Sequence, residues 1–191
     1  MRQALAELSR AALIKTVHGR GSFVSGTPVP YEVSPGKMAS LTRLLAEQDL
    51  ELCQRLVLRV RDAPPDVASI FGRAPHLERF DQVRDLESEP WALTSTWLDV
   101  ARFPDLTERH WTGEGSLYDA LRNGYGVTMH RASVSFSATG ARAEEGSLLR
   151  VAAGTSLLVV RGVNVDDDGR PVAVAEHRFL GDRVRFSVPM Q

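Results

Sequence analysis

An α+β domain with a mostly antiparallel sheet of five or six strands, flanking helices and a small helix–hairpin head in front is the fold class that the sequence predicts. Three observations predict it. Alternating, β-rich runs outnumber helical ones and recur with turn signals between them. The helical stretches are short and open on capping or breaker residues. A run rich in Ser, Gly and Pro, residues 25–36, separates a basic front from an acidic remainder. The 191 residues leave room for one domain and a small module. With 43% hydrophobic and 25% charged residues, a disordered, collagen-like or coiled-coil chain is excluded. No stretch approaches the roughly 18 apolar residues of a membrane span. The single cysteine, Cys53, cannot form an internal disulfide, and the five histidines are scattered, so neither a metal nor a cofactor is expected. A reducing cytoplasm is the expected compartment.

In chain order, Leu5, Leu8, Ala12 and Leu13 fall at helical spacing, which predicts an amphipathic helix over 2–13. Two short β-rich runs within 14–24 flank a Gly19-Arg20-Gly21 tip and predict a hairpin. Residues 26–36 are expected to be a linker. Beyond it, a helix near 37–48 is expected, with Ser40 as cap and Leu41, Leu44 and Leu45 as its buried stripe. Residues 50–61 alternate as a half-buried strand, with Leu56, Leu58 and Val60 on one side. Pro64-Pro65 opens a short helix to Phe71. Strands are expected over 76–86 and 91–99, a helix from Ser116 to Asn123, a long strand over 127–139 and a helix over 142–149. A hairpin of 157–165 and 172–180 turns at Asp166-Asp167-Asp168-Gly169. That acidic turn is no calcium loop, because Arg170 and Pro171 take ligand and glycine positions and His177 replaces the closing glutamate.

Charge is unevenly distributed. Residues 1–26 hold Arg2, Arg10, Lys15 and Arg20 against Glu7, whereas 27–191 hold 19 bases against 23 acids. A basic head on an acidic body suits a head that meets a polyanion. A short helix followed by a Gly-Arg-Gly-tipped hairpin has the form of the back half of a winged helix, whose helix enters the major groove and whose wing places Arg20 near the backbone. Arg2-Gln3-Ala4-Leu5-Ala6-Glu7-Leu8, Leu13-Ile14-Lys15 and Gly19-Arg20-Gly21-Ser22-Phe23-Val24 resemble the end of a GntR-family DNA-binding domain. Residues 37–188 resemble the UTRA effector domain of its HutC subfamily, through Arg84, Gly115-Ser116-Leu117-Tyr118, Gly169-Arg170-Pro171-Val172 and Phe179-Leu180-Gly181-Asp182-Arg183. Within the subfamily, Val163-Asn164-Val165-Asp166 and Arg102-Phe103-Pro104 are most similar to regulators of phosphonate metabolism.

The resemblance implies a chorismate-lyase-like fold for 37–188, a winged-helix remnant over 1–25, and a ligand-responsive regulator, a repressor, that binds operator DNA as a homodimer. The implied DNA contacts are Arg2, Lys15, His18, Gly19, Arg20 and Gly21. The family's pattern reads Thr-Val-Arg where this sequence reads Met1-Arg2, so Met1 is expected to be a misassigned start within a longer gene, with truncation or deletion as alternatives.

For the effector, residue chemistry and resemblance carry separate weight. Arg84 lies mid-strand, where an inward guanidinium needs an anion, and Ser116 opens a helix whose free N–H groups favour one. By chemistry alone, an ion pair of Arg84 with Asp81 or Glu87 and a plain N-cap at Ser116 are the favoured reading. The resemblance implies that both contact the acidic group of an effector. It extends to Tyr118 and Thr96, and Arg131, Glu176 and Arg178 are further candidates. Phe179 and Ala173 stand where sugar-phosphate-responsive relatives carry a tyrosine and a carboxylate, which favours a small anion with few hydroxyls, such as a phosphonate or phosphate ester. The alternative is a chorismate-lyase-like enzyme acting on a small anion, against which the Gly-Arg-Gly wing and the linker argue. Trp91, Trp97 and Trp111 are expected in the core, and Ser95 and Ser133 lack a nucleophile-elbow context.

Overall fold

The computed structural model describes residues 4–5, 14–17, 21–24, 28–32, 41–46, 48–72 and 76–188, with backbone alone over 14–17 and 21–24. In the head, Ala4 and Leu5 are helical, and the rest of the expected helix lies outside the described residues. Strands β1 (Ile14–Val17) and β2 (Gly21–Val24) pair antiparallel, with Val17 opposite Gly21, which leaves three residues for the tip. The hairpin read from the two β-rich runs is therefore present.

The body is one antiparallel sheet of six strands. These are β4 (Leu52–Val60), β5 (Leu77–Leu86), β6 (Glu89–Asp99), β7 (His130–Gly140), β8 (Ser156–Val165) and β9 (Pro171–Leu180), in the spatial order β4-β5-β6-β9-β8-β7. The Glu87-Ser88 turn between β5 and β6 holds both residues at positive φ, 51° and 66°, the handedness that a two-residue hairpin needs. Four short helices flank the sheet: α1 (Leu41–Ala46), α2 (Pro65–Phe71), α3 (Leu117–Tyr125) and α4 (Ala143–Leu149). Ser40 and the side chain of Leu44 lie outside the description, while Leu41 and Leu45 are buried as the stripe requires.

Each face of the sheet carries two apolar clusters. On one face, α1 packs Leu41 and Leu45 against Trp91, Ala92, Val160 and Phe179. Further along the same face, α3 packs Leu117 and Leu121 against Phe80, Leu98 and Trp111. On the other face, α4 covers Val83, Leu93, Leu157 and Leu180, and α2 covers Trp97 and Val174. Between the clusters the sheet turns polar. The cross-strand row Gln82–Thr94–His177 crosses the first face, and the next row, Asp81–Ser95–Glu176–Arg161, crosses the second.

Two features depart from expectation. The stretch read as a linker contains a strand, β3 (Val29–Glu32), which pairs in parallel with β10 (Val184–Ser187) and closes over the first face. The register of β4 against β5 also shifts between Leu56 and Leu58, where the Leu56 N–H bonds to the Gly113 carbonyl at 2.8 Å. Gly113 has φ +94°, and a Cβ there would meet the Leu56 Cβ at 2.8 Å. The bulge leaves Leu56 against the α3 cluster and exposes Leu58 on the opposite side, so the two do not share a face as simple alternation requires.

Trp91 joins the sheet to this added pair of strands. It is fully buried, stacks edge-on against Phe179 at 4.9 Å and donates its indole N–H to the Arg183 carbonyl at 3.1 Å. Trp91→Ala is expected to cost about 3–5 kcal/mol, read as a lower midpoint in urea unfolding.

Candidate effector site

The gap between α1 and α3 over the first face is a cavity with about 30 Å³ of room for water-sized occupants, enough for two or so waters as it stands. Its floor is strand residues of one parity: Gln82 and Arg84 of β5, Thr96 of β6, and His177 and Phe179 of β9. Ser116 and Tyr118 enter from the start of α3, Arg131 from β7, and Tyr31 and Phe186 from the β3–β10 pair. Arg84, Thr96, Ser116, Tyr118 and Arg131, five residues singled out from the sequence, therefore surround one space.

Glu176 and Arg178 do not. Being of the other parity to His177 and Phe179, they point through the opposite face into a trough of about 580 Å³ between α2 and α4. There they pair with each other, and Arg178 also reaches Glu145 of α4 at 3.3 Å. The expectation that they share a pocket with Arg84 is corrected by the period of the strand. The same period identifies what sequence reasoning missed: His177 and Gln82 stand on the Arg84 side, and Gln54 joins them from β4.

Arg84 is 7% exposed and its Nε has no hydrogen-bond partner. Neither expected carboxylate holds it, because Asp81 pairs with Arg79 at 3.1 Å and Glu87 accepts from the Glu51 N–H at 3.0 Å. Burial pushes the Arg84 pKa down to about 10, against the pull of the Tyr118 and Tyr31 phenols. The Arg131 Nε is likewise buried and unpartnered. Among the described lining residues there is no carboxylate. Two guanidiniums thus face a small cavity without a counter-charge, an arrangement that costs folding energy and suits an incoming anion.

The surrounding groups are oriented to donate. Ser116 caps α3, accepting from the Asp119 N–H at 3.2 Å, which leaves its own O–H to point at a ligand. The cap and the ligand role are therefore compatible. The Tyr118 hydroxyl accepts from the Asn164 side-chain amide at 3.1 Å, and burial raises its pKa while Arg84 and Arg131 pull it back. The imidazole of His177 shares a hydrogen bond with Thr94 at 2.9 Å and is held neutral well below its usual range, first by burial and then by Arg84 and Arg131. Among the described residues no group of three or more His, Cys, Asp or Glu could hold a metal.

Of the DNA-contact candidates, Lys15 lies on β1 and Gly21 on β2, while Arg2, His18, Gly19 and Arg20 lie outside the described residues.

Two outcomes follow from this electrostatics. Arg84→Met keeps most of the volume and removes an unpaired buried charge, so chemical denaturation should find it more stable than the parent by about 1–3 kcal/mol. His177 binds a proton in the unfolded chain at a pH where the folded chain does not, so stability falls as pH drops below about 6.5. The melting temperature of His177→Gln, scanned from pH about 7.5 to about 5.5, should lose much of that slope.

Comparison with known proteins agrees with this geometry. Residues 52–185 match the UTRA domain model. An uncharacterized HTH-type transcriptional regulator of Rhizobium meliloti is 28% identical over 98% of this chain and 78% of its own. The HTH-type transcriptional repressor NagR of Bacillus subtilis is 25% identical over 97% of this chain and 76% of its own. The crystal structure of PhnF from Mycobacterium smegmatis superposes with a TM-score of 0.78 at 25% identity, covering 100% of this chain and 83% of that one. With the model matching well over half of the residues and the antiparallel sheet in place, the chain belongs to the UTRA-domain family of GntR-type transcriptional regulators.

Proposed function

We propose that this protein is a repressor whose UTRA domain binds a small anionic metabolite, a phosphonate or phosphate ester, and transmits that binding to the DNA-binding head. The observation that carries the reading is the buried, unpaired Arg84 facing Ser116, Tyr118 and Arg131 across one cavity. The anion replaces the missing counter-charge. It is bound and not turned over, so the chain is a sensor and not an enzyme. The repressor role draws support from NagR, which is named a repressor, and the phosphonate assignment from Phe179 in the cavity floor, where a hydroxyl-bearing side chain would suit a sugar.

Transmission runs through β3. Tyr31 and Phe186 meet at 4.8 Å and form one wall of the cavity, and β3 continues backward in the chain, through 25–28, to the wing strand β2. A ligand bulkier than the two or so waters that the cavity has room for presses on that wall, and a movement of the wall carries β3 with it. Only a difference in affinity between the two arrangements can shift their populations. Regulators of this type read two-fold operators as dimers, and a homodimer assembled on the effector domain places two heads on adjacent half-sites.

The test is a thermal-shift panel of phosphate, sulfate, alkylphosphonates, sugar phosphates, urocanate and chorismate, with Arg84→Ala beside the parent. An effector at about 100 times its dissociation constant contributes about 2.7 kcal/mol, a shift of about 5–10 °C for a chain of this size. The expected result is a phosphonate or phosphate-ester shift that Arg84→Ala abolishes. Indifference to every anion, or a chorismate response accompanied by product, would reject the sensor.

A further inference from the structure

The cavity holds more positive charge than one carboxylate can satisfy. Arg84 and Arg131 both have a buried Nε without a partner. They come from opposite sides of the space, Arg84 from the second strand of the sheet and Arg131 from its far edge. Their charges converge on the same two groups, since both act on the Tyr118 hydroxyl and on the His177 ring. No ion pair is formed by either among the described residues, although every other described arginine in mid-sheet has one: Arg79 with Asp81, Arg161 with Asp66 and Arg178 with Glu176. The contrast runs across the thickness of one sheet. On the trough side arginines and carboxylates alternate and cancel, whereas on the cavity side the partners are Gln54, Gln82, Thr96 and Ser116, which are uncharged.

We infer that the site is a charge filter: it selects an effector with a doubly ionised oxyanion head and an uncharged tail, and it discriminates against the same molecule carrying an ammonium group. This inference rests on the anion-sensor reading given above and narrows its ligand class. A head with two negative charges balances both guanidiniums. A monoanion leaves one of them without a counter-charge and with its buried Nε still unpartnered, which is the costly outcome. An ammonium on the tail brings a third positive charge into a space whose described lining offers no carboxylate to receive it. The tail is left to the ring of Phe179 and to Leu41, Val160 and Leu117, which calls for a short apolar group. Simple alkylphosphonates and short alkyl phosphate monoesters fit this description, and aminoalkylphosphonates, amino acids and monocarboxylates do not.

Isothermal titration of the whole chain at mildly alkaline pH, where an alkylphosphonate is doubly ionised, separates these classes. The probes are ethylphosphonate, ethyl phosphate, the monomethyl ester of ethylphosphonate with its single permanent charge, 2-aminoethylphosphonate and succinate. Ethylphosphonate or ethyl phosphate should bind at least about tenfold more tightly than the monoester and than the amino compound, tenfold being about 1.4 kcal/mol. The comparison between those two leading probes identifies the source of the head group. Succinate tests whether two separated charges substitute for one doubly charged head. Arg131→Gln should bring the dianion and its monoester to within about threefold, or about 0.6 kcal/mol, of one another. Equal or tighter binding of the monoester or of 2-aminoethylphosphonate would overturn the filter while leaving an anion sensor in place. Failure of every probe, with phosphate and sulfate added as controls, would remove the sensor reading itself. If Arg131→Gln does not fold, the ladder of affinities on the parent chain decides by itself.

Discussion

A guanidinium buried without a counter-charge is the constraint around which this molecule is arranged. Arg84 could have been neutralised cheaply, since Asp81 and Asp85 are close in sequence, but strand periodicity turns both to the other face or to the edge. What remains around Arg84 is a set of uncharged polar side chains, Gln54, Gln82, Thr96, Ser116 and Tyr118, together with a second cation, Arg131. The cost is met by the rest of the fold. Four apolar clusters, two on each face, pack the sheet on either side of the polar rows, and the aromatic series Trp91–Phe179–Phe186–Tyr31 walls the cavity on the side of β3. The site is therefore preorganised by packing that it does not itself supply.

The two faces of the sheet solve the same problem differently. Each carries a polar row at mid-height, one residue apart in register. On the trough side the charges are mutually paired: burial pushes the Glu145 carboxyl up, and hydrogen bonds and charge from Arg142, with the charge of Arg178, bring it below the ordinary glutamate value. On the cavity side the positive charge is left over. The two faces differ in residue type: carboxylates meet the arginines of the trough, whereas uncharged side chains surround those of the cavity. That choice is what makes one face structural and the other responsive.

Much of this was legible in the sequence, because the features concerned are local. Alternation over 50–61 and β-rich runs between turn residues located all six strands of the sheet, Pro64-Pro65 marked α2, and the Ser116 cap marked α3. The Gly-Arg-Gly tip marked the β1–β2 hairpin. What escaped is non-local. β3 lies among prolines and turn residues, and nothing in Val29-Pro30-Tyr31-Glu32 announces a parallel partner at the far end of the chain. The bulge that sends Leu58 to the wrong side is caused by Gly113, which approaches β4 from another segment. The misplacement of Glu176 and Arg178 is of another kind. Phe179 stands at a position that the resemblance ties to the ligand, and parity alone then assigns His177 to the cavity and its two neighbours to the trough. The signal was present and required only counting by twos.

The separation of the polar rows from the apolar clusters has a consequence for how such a protein diversifies. Gln82, Arg84 and Thr96 are polar residues that line the cavity between the apolar clusters, and the His177 ring lies 5.8 Å from that of Phe179. Substitutions there change what the cavity recognises without removing a buried hydrocarbon from the core, and distant effects on stability are close to additive. A lineage that keeps the four clusters can exchange one metabolite for another in few steps, each of them compatible with a folded chain. Because apolar clusters hold the scaffold and polar rows line the cavity, the vocabulary of signals can turn over without rebuilding the architecture that reads them.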